Sequence, residues 1–261
     1  MNETSLNLIK IAKDSFKYHS FHYVDEADIK DYEIIKQTND VLLIKGTHPS
    51  QQKPHIHFFV NELETLIESL ADYANHLIEF VPKDWMRPLE KKGYRPYAVF
   101  RDYWYPYNQP LKTSEPLVFA TNDDIEDIAI LSQTRKGSSR AFSGETIDVV
   151  SQWVTNQVEG VDDTCVLLHK HTTIDGAVMI GLYGTEEKRT LWVRMICVRA
   201  NAQNQGIGYQ LLNQALYYGQ MHHAKRAFLM ADDLNENAIH LYQKVGFKPD
   251  ITSEQIDMIT K

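Results

Sequence analysis

The chain lacks several features that define whole classes of proteins. No apolar run approaches the roughly 20 residues of a membrane span, and the N-terminal stretch MNETSLNLIKIAKDSF has no apolar core followed by a small-residue cleavage site. Two cysteines, Cys165 and Cys197, are too few for a disulfide framework or a cysteine metal cluster. We therefore expect a cytoplasmic protein without membrane association, in which both cysteines are small buried strand residues.

An excess of positive charge is also absent. The 27 Lys and Arg residues face 35 Asp and Glu residues, which gives a formal net charge of −8. Nucleic-acid binding needs a basic face, so no nucleic-acid partner is expected. An acidic chain favours a cationic partner such as an amine, although many proteins are acidic for solubility alone. The sequence leaves monomer and homodimer equally open.

The most informative glycines, Gly206 and Gly208, lie in the segment Val198–Leu212. An apolar strand pattern precedes them, and apolar residues at helical spacing follow them. Glycines let a backbone come close to a ligand, and the free N–H groups of a helix N-terminus point at negative charge. The segment therefore predicts a site for a pyrophosphate-containing ligand.

Two nucleotide motifs do not fit this segment. The dinucleotide fingerprint needs a third glycine three residues after Gly208, where Leu211 stands. The mononucleotide P-loop needs a lysine followed by serine or threonine, where Tyr209 and Gln210 stand. Both mismatches argue against a nucleotide-dependent enzyme.

The pattern Gln203-x-x-Gly206-x-Gly208, with hydrophobic-x-Val shortly before it, resembles the acyl-CoA loop of the GNAT superfamily of N-acetyltransferases. A second block, Asn235-x-x-Ala-x-x-Leu-Tyr242-x-Lys-x-Gly-Phe, is similar to that family's last helix and the turn beyond it. The resemblance covers about residues 115–261. It implies an α/β (α+β) fold with a mixed sheet, the GNAT fold, in the C-terminal half.

The resemblance implies an acetyl-CoA-dependent N-acetyltransferase that acts on a primary amine of a small molecule or peptide, by direct attack in a ternary complex. It implies that Tyr242 donates a proton to the departing thiolate, and no metal is expected. The acyl-CoA-binding residues that it implies, several of them through backbone groups, are Ile196, Cys197, Val198, Gln203, Asn204, Gln205, Gly206, Ile207, Gly208 and Asn235.

The spacing of Asn235 and Tyr242 is compatible with these roles, because residues seven apart on a helix share a face. Each has a structural alternative. Asn235 is also a typical helix N-cap, and Tyr242 also fits a core position. A non-catalytic acyl-CoA-binding or interaction module is therefore an alternative function for the chain.

The general base is not identified by the motifs. Some relatives carry a glutamate four residues before the valine of the strand, where this chain has Arg194, which stays protonated at neutral pH. Arg194 either binds an acidic group of the substrate or is a surface residue, and Trp192 either encloses a substrate pocket or packs. Candidates for the base are Glu145, His169, His171 and Glu186, and the segment 135–143 is either an acceptor-contacting loop or an ordinary one.

The polar, proline-containing stretch Asn108–Pro116 predicts a linker, and with it two domains, residues 1–110 and 115–261. Lys91-x-Gly-Tyr-Arg-Pro and Lys244-x-Gly-Phe-Lys-Pro echo each other. The echo suggests that the first half is a degenerate GNAT-like copy or an accessory domain. In that copy Leu89 stands where Tyr242 stands, and no acyl-CoA loop motif is present.

Several further elements follow from local patterns. We expect a helix over Ile147–Val158, a hairpin with its turn at Asp175-Gly176, and a final pair of strands ending near Ile259. The pair His55 and His57 is expected to be satisfied at the surface, since a metal site would need further ligands nearby.

Overall fold

The computed structural model describes residues 3–22, 24, 29–48, 52–113, 115–139 and 142–261. It divides into two compact units. The N-terminal unit comprises residues 1–100 and 254–261, and the C-terminal unit comprises residues 101–253. Within the described ranges, no helix is both long and apolar enough to cross a bilayer.

The described residues form the following α-helices and strands. The helices are α1 (Glu3–Ser15), α2 (Leu63–Ser69), α3 (Lys83–Lys91), α4 (Ile125–Gln133), α5 (Ile147–Val154), α6 (Ile207–Met221) and α7 (Glu236–Val245). The strands are β1 (Tyr18–His19), β2 (Glu33–Gln37), β3 (Val41–Thr47), β4 (Pro54–Val60), β5 (Leu77–Ile78), β6 (Arg95–Pro106), β7 (Asp162–Lys170), β8 (Ile174–Tyr183), β9 (Thr190–Val198), β10 (Arg226–Asp232) and β11 (Lys248–Ile259).

In the N-terminal unit, helices cover both faces of a mixed sheet. Strands β2, β3 and β4 are antiparallel, β5 is parallel to β4, and the end of β11 is antiparallel to β5. Side chains alternate along β3 in the way that a pleated strand requires. Leu42 packs in a cluster with residues of α1, whereas Leu43 packs in a cluster with Leu66 of α2 and Leu89 of α3.

The C-terminal unit has the same layering. Strands β7, β8 and β9 are antiparallel, and β10 is parallel to β9. Helices α6 and α7 pack on one face, with Leu211 and Leu212 both 0% exposed. Helices α4 and α5 pack on the other face, through Leu131 and Trp153. The predicted α/β fold with a mixed sheet is confirmed for this half of the chain.

The two units share one connectivity. In each, three antiparallel strands are followed by a helix, a strand parallel to the third, a second helix and a last strand. The echo segments end the second helix in both. Gly93 (φ 94°) and Gly246 (φ 116°) adopt the left-handed conformation that favours glycine at a helix end. The aromatic residues after them, Tyr94 and Phe247, are buried.

Several element boundaries differ from those that the sequence predicts. The units divide after residue 100 rather than within 108–116, and residues 254–261 join the N-terminal unit. Helix α5 ends at Val154, and one strand, β11, replaces the expected pair near the C-terminus. The β7–β8 turn lies at 171–173, so Asp175-Gly176 belongs to β8. Gly176 is instead explained by close packing, because a Cβ there would lie 2.9 Å from Leu211.

The expectation that His55 and His57 lie at the surface is wrong. They are 1% and 2% exposed, because helices cover both faces of the sheet that contains β4. A hydroxyl group contacts one nitrogen of each ring: His55 Nδ1 lies 2.9 Å from the Tyr32 hydroxyl, and His57 Nδ1 lies 3.2 Å from Ser20 Oγ. The buried His55 Nε2 lies 3.5 Å from a carboxylate oxygen of Glu79 and makes no hydrogen bond among the described residues. Burial lowers the pKa of His57 from 6.5 to about 3.

This buried imidazole predicts an acid-dependent loss of stability. The pKa of His57 is lower in the folded than in the unfolded state. Protonation of His57 therefore leaves the free energy of unfolding unchanged above pH 6.5 and lowers it as the pH drops from there towards 3. The slope contributed by one such group approaches about 1.4 kcal/mol per pH unit. Urea unfolding at pH 7 and pH 5 measures it.

His57→Phe removes the titrating ring and is expected to flatten this pH dependence. His240→Gln, at an exposed position, is the matched control for the loss of an imidazole. Equal slopes in the wild type and His57→Phe would show that His57 does not titrate in the unfolding reaction.

Candidate active site

A β-bulge interrupts β9 at Arg194. Met179 of β8 pairs with Met195, and the next residue, Ile180, pairs with Val193, so Arg194 has no partner across the ladder. The bulge changes which face the side chains occupy. Trp192 and Met195, three residues apart, pack in the same cluster beside α4 and α5, whereas regular alternation would place residues two apart on one face.

Beyond this point one edge of β9 is open. Strand β8 pairs with β9 along its whole length, but the parallel pairing with β10 covers only Thr190 to Trp192. The remaining edge runs from Val193 to Val198, and nothing in the described part of the chain pairs with it as a strand. Ile196 and Val198, two of the predicted ligand-binding residues, lie on this edge. The free backbone groups can accept an extended ligand as an added strand.

The open edge leads into the glycine loop. Asn204 (φ 62°) and Gly206 (φ 83°) both adopt left-handed conformations, and Gly206 is the N-cap of α6. No hydrogen bond leaves the amide N–H groups of residues 205–208 towards any described residue. The first turn of α6 also contains no acidic residue. Free donors and the positive end of a 15-residue helix are the features that favour an anion at such a position.

Side chains of the loop hold it against the strand and against α7. Gln203 donates from Nε2 to the carbonyl of Val198 (3.3 Å), and Gln205 donates in the same way to Asn201 (3.3 Å). A Cβ on Gly208 would lie 3.2 Å from Leu241 of α7, whereas one on Gly206 would meet nothing within 4 Å. The space in front of Gly206 is therefore free for a ligand.

The cysteine in the strand is not a nucleophile. Cys197 is 5% exposed, and burial raises the pKa of its thiol to about 12. Burial likewise raises the pKa of the Cys165 thiol to about 12. Both thiols are thus protonated at neutral pH, as expected of small strand residues, and a covalent acyl-cysteine route has no thiolate to start from.

Asn235 caps α7. Its side-chain oxygen accepts a hydrogen bond from the backbone N–H of Ala238 (3.3 Å). The structural alternative for Asn235 is therefore present, and its side-chain amide group still has its two N–H donors for other partners.

Tyr242 lies on the same helix and is 9% exposed. Its ring packs between Tyr103 (centroid distance 6.2 Å) and Phe247 (6.3 Å). Burial raises the pKa of its phenol to about 12. The group stays protonated at neutral pH, so it can donate a proton but cannot act as a base.

Arg194 binds an acidic group of the protein itself. Its Nη1 lies 3.1 Å from Oε1 of Glu145, whose side chain is 7% exposed. The Arg194 guanidinium also lies over the Trp192 ring (5.9 Å), and Trp192 in turn packs edge-on against Trp153 (5.5 Å). The pair brings a carboxylate to the bulge of β9 from the loop between α4 and α5.

The backbone of Glu145 is fixed by α4. Its N–H donates to Ser132 Oγ (2.8 Å), and its carbonyl accepts from Gln133 Nε2 (3.2 Å). The preceding Gly144 has φ 84°, and a Cβ there would lie 2.7 Å from Gln133 Cα. Only glycine suits that conformation and distance. Glu145 was one of four candidates in the sequence, and no local pattern distinguished it.

The structure separates the other candidates from Glu145 in the fold. Glu186 is exposed in a short 3-10 turn, and His169 and His171 lie at the β7–β8 turn with Asp175. Of the segment 135–143, residues 140–141 lie outside the described residues. Its Ser139 hydroxyl is 3.5 Å from a carboxylate oxygen of Asp232, at the end of β10.

The corresponding edge in the N-terminal unit is covered by the chain. Strand β3 pairs with one edge of β4 from Pro54 to Val60. The other edge pairs with β5 at His55 and with β1 at Phe59 and Val60. Only Asn61 and Glu62 separate β4 from α2, and Glu62 caps α2 in an extended conformation.

Comparison with known proteins agrees with this geometry. Residues 132–247 match the model of the acetyltransferase (GNAT) family. No curated protein matches the chain at a significant level.

Solved structures share the fold at low sequence identity. A GCN5-related N-acetyltransferase from Sphaerobacter thermophilus has a TM-score of 0.57 at 13% identity, over 84% of this chain and 75% of the other. A GNAT-family acetyltransferase from Colwellia psychrerythraea has a TM-score of 0.57 at 11% identity, over 99% and 97%. A GCN5-related N-acetyltransferase from Anabaena variabilis has a TM-score of 0.54 at 12% identity, over 99% and 70%.

Proposed function

Because residues 132–247 form a GNAT acetyltransferase domain, we propose that this protein transfers an acetyl group from acetyl-CoA to a primary amine of a small molecule or peptide. The observation that carries the proposal is the open edge of β9, which runs directly into the free amides of residues 205–208. A ligand with an extended arm that ends in a pyrophosphate fits this arrangement, with the arm along the strand edge and the pyrophosphate at the amides. Acetyl-CoA supplies an acyl group activated as a thioester.

The binding residues act mainly through their backbone. The amides of Gln205 to Gly208 bind the pyrophosphate, and Asn204 and Gln203 shape the loop that presents them. The backbone groups of Ile196, Cys197 and Val198 pair with the pantetheine arm as an added strand, and an amide there polarises the thioester carbonyl. Asn235 donates to the arm from its side-chain amide.

The reaction needs two proton transfers, one from the acceptor nitrogen and one to the departing sulfur. We assign the base to Glu145, because it brings to the bulge the carboxylate that some relatives place on the strand itself, where this chain has Arg194. Glu145 takes the proton of the acceptor ammonium, directly or through a water, and the amine nitrogen then bonds to the acyl carbon. As the carbon–sulfur bond breaks, Tyr242 gives its phenolic proton to the sulfur, and the second proton that the acylated nitrogen loses restores the phenol through solvent.

Arg194 and Trp192 position the proposed base, Glu145. Arg194 orients the Glu145 carboxylate, and the indole of Trp192 supports the guanidinium. Transfer is direct within a ternary complex, since neither cysteine offers a thiolate.

We propose that the N-terminal unit is a degenerate copy that binds no acyl-CoA, because β1 already covers the matching edge of β4.

Gly206→Glu is expected to weaken acetyl-CoA binding by about 100-fold, because it places a carboxylate where the phosphates bind. Calorimetric titration should give micromolar affinity and one site per chain for the wild type. Gly160→Glu is the matched control: Gly160 has φ 73°, and nothing lies within 4 Å of a Cβ there. Equal affinity in both variants, or no binding by the wild type, would contradict the proposed cofactor site.

Tyr242→Phe is expected to lower kcat at least about 100-fold while acetyl-CoA affinity stays unchanged, because the phenol acts on the leaving group. Thiol release with an amine acceptor measures kcat. Tyr107→Phe is the control, since the buried Tyr107 hydroxyl has no hydrogen-bond partner among the described residues. A wild type that binds acetyl-CoA but releases no thiol with any amine would instead favour a non-catalytic binding module.

Glu145→Gln is expected to lower kcat by about 100-fold near neutral pH, and the deficit should shrink as rising pH deprotonates the acceptor amine itself. The pH profile separates a lost base from a damaged fold, which would lower activity at every pH. Glu186→Gln, at an exposed acid, is the control. An unchanged profile in Glu145→Gln would reduce the Arg194 pair to a structural role.

A further inference from the structure

We propose that His169, His171 and Asp175 form a binding site for a divalent transition-metal ion such as Zn²⁺ at the β7–β8 turn. One potential ligand atom from each residue lies within 4.8 Å of the others. Two imidazoles and one carboxylate are a donor set that divalent transition metals use. The motifs of the sequence predict no metal, and this site is independent of the proposed acetyl transfer.

An unsatisfied ring nitrogen points to a missing partner. His169 Nδ1 is buried and makes no hydrogen bond in the described part of the chain. Oδ2 of Asp175 lies 3.7 Å from it. This separation is too long for a hydrogen bond. Buried polar atoms are nearly always satisfied, and a metal ion bound between the ring and the carboxylate would satisfy both.

The hairpin fixes the three ligands close together. His169 pairs across the ladder with Gly176, the neighbour of Asp175, and Lys170 pairs with Ile174. His171 follows in the turn, where its N–H donates to the Thr173 carbonyl (3.2 Å). The two imidazole rings are perpendicular, with centroids 5.0 Å apart. The turn therefore brings the ligands together without further folding.

The basic side chains near the turn are held by other groups. Lys170 Nζ lies 2.5 Å from Asp124 Oδ1, and this carboxylate raises the pKa of the lysine. The Arg199 guanidinium donates twice to the Ile174 carbonyl, at 3.1 and 2.9 Å. Both cations are thus paired within the fold, and neither replaces a metal ion at the carboxylate of Asp175.

The side chains of the site suit a nitrogen-preferring metal. Mg²⁺ and Ca²⁺ prefer all-oxygen sites, whereas imidazole suits Zn²⁺, Cu²⁺ and Ni²⁺. Three protein ligands leave one or more coordination positions for water or a small ligand. His48, His55 and Glu79 also bring two imidazoles to a carboxylate, but in a different arrangement from the β7–β8 turn. The two Nε2 atoms lie beside different oxygens of Glu79, at 3.3 and 3.5 Å.

Thermal unfolding of metal-free protein with and without Zn²⁺ tests the site. Zn²⁺ is expected to raise Tm by roughly 5 °C and to bind one ion per chain by calorimetry. His171→Ala should abolish the shift. His171 is exposed, so this variant keeps the fold, and Asp175→Asn should reduce the shift while retaining the shape of the side chain. Mg²⁺ and Ca²⁺ at equal concentration should give no shift.

His222→Ala is the matched control, because His222 and Asp163 form a surface imidazole–carboxylate pair (3.4 Å) and no third metal-ligand residue joins them in the described part of the chain. It should keep the full response to Zn²⁺. The proposal is overturned if Zn²⁺ fails to stabilise the wild type, if His171→Ala responds as the wild type does, or if His222→Ala loses the response. None of these readouts depends on acetyl transfer, so the metal site and the proposed function fail separately.

Discussion

The site depends on backbone hydrogen-bonding groups that the fold leaves without partners. Buried N–H and C=O groups are almost always paired, because an unpaired one costs the free energy of its lost hydration. Here the edge of β9 from Val193 to Val198 and the amides of residues 205–208 have no partner in the described part of the chain, and water can bind the amides of the exposed Gln205 and Gly206. The bulge at Arg194 marks the point where β9, still paired with β8, runs free of β10. A ligand that pairs with these groups takes the place of that water.

Local rules predicted the parts of the structure that depend on a few neighbouring residues. Gly206 and Gly246 have the positive φ that a glycine at those positions suggests, and Asn235 caps its helix as its residue type suggests. Asp175-Gly176 misled the prediction, because this dipeptide usually marks a hairpin turn. In this chain Gly176 is needed for the contact with α6, and the turn lies earlier.

The parts that sequence reasoning could not reach depend on contacts between distant segments. Whether a strand has one solvent face or none depends on which helices pack on it, so the burial of His57 was not visible in its alternation. The Glu145–Arg194 pair joins a loop to a strand through the bulge, and a bulge has no sequence signature here. The sequence shows Arg194 where some relatives carry a glutamate, but the carboxylate that pairs with it comes from Glu145, about 50 residues away, which no local pattern singled out.

The N-terminal unit has the same connectivity but a different strand edge. In the C-terminal unit, residues 199–206 connect the third strand to its helix, and the strand edge beside them is open. In the N-terminal unit two residues make the connection, and β1 satisfies the edge of β4 with backbone groups of the chain itself. A strand added from within the chain and an extended ligand added from outside satisfy the same donors and acceptors. In the N-terminal unit these hydrogen bonds stabilise the fold. In the C-terminal unit the donors and acceptors of the strand edge stay available to a ligand.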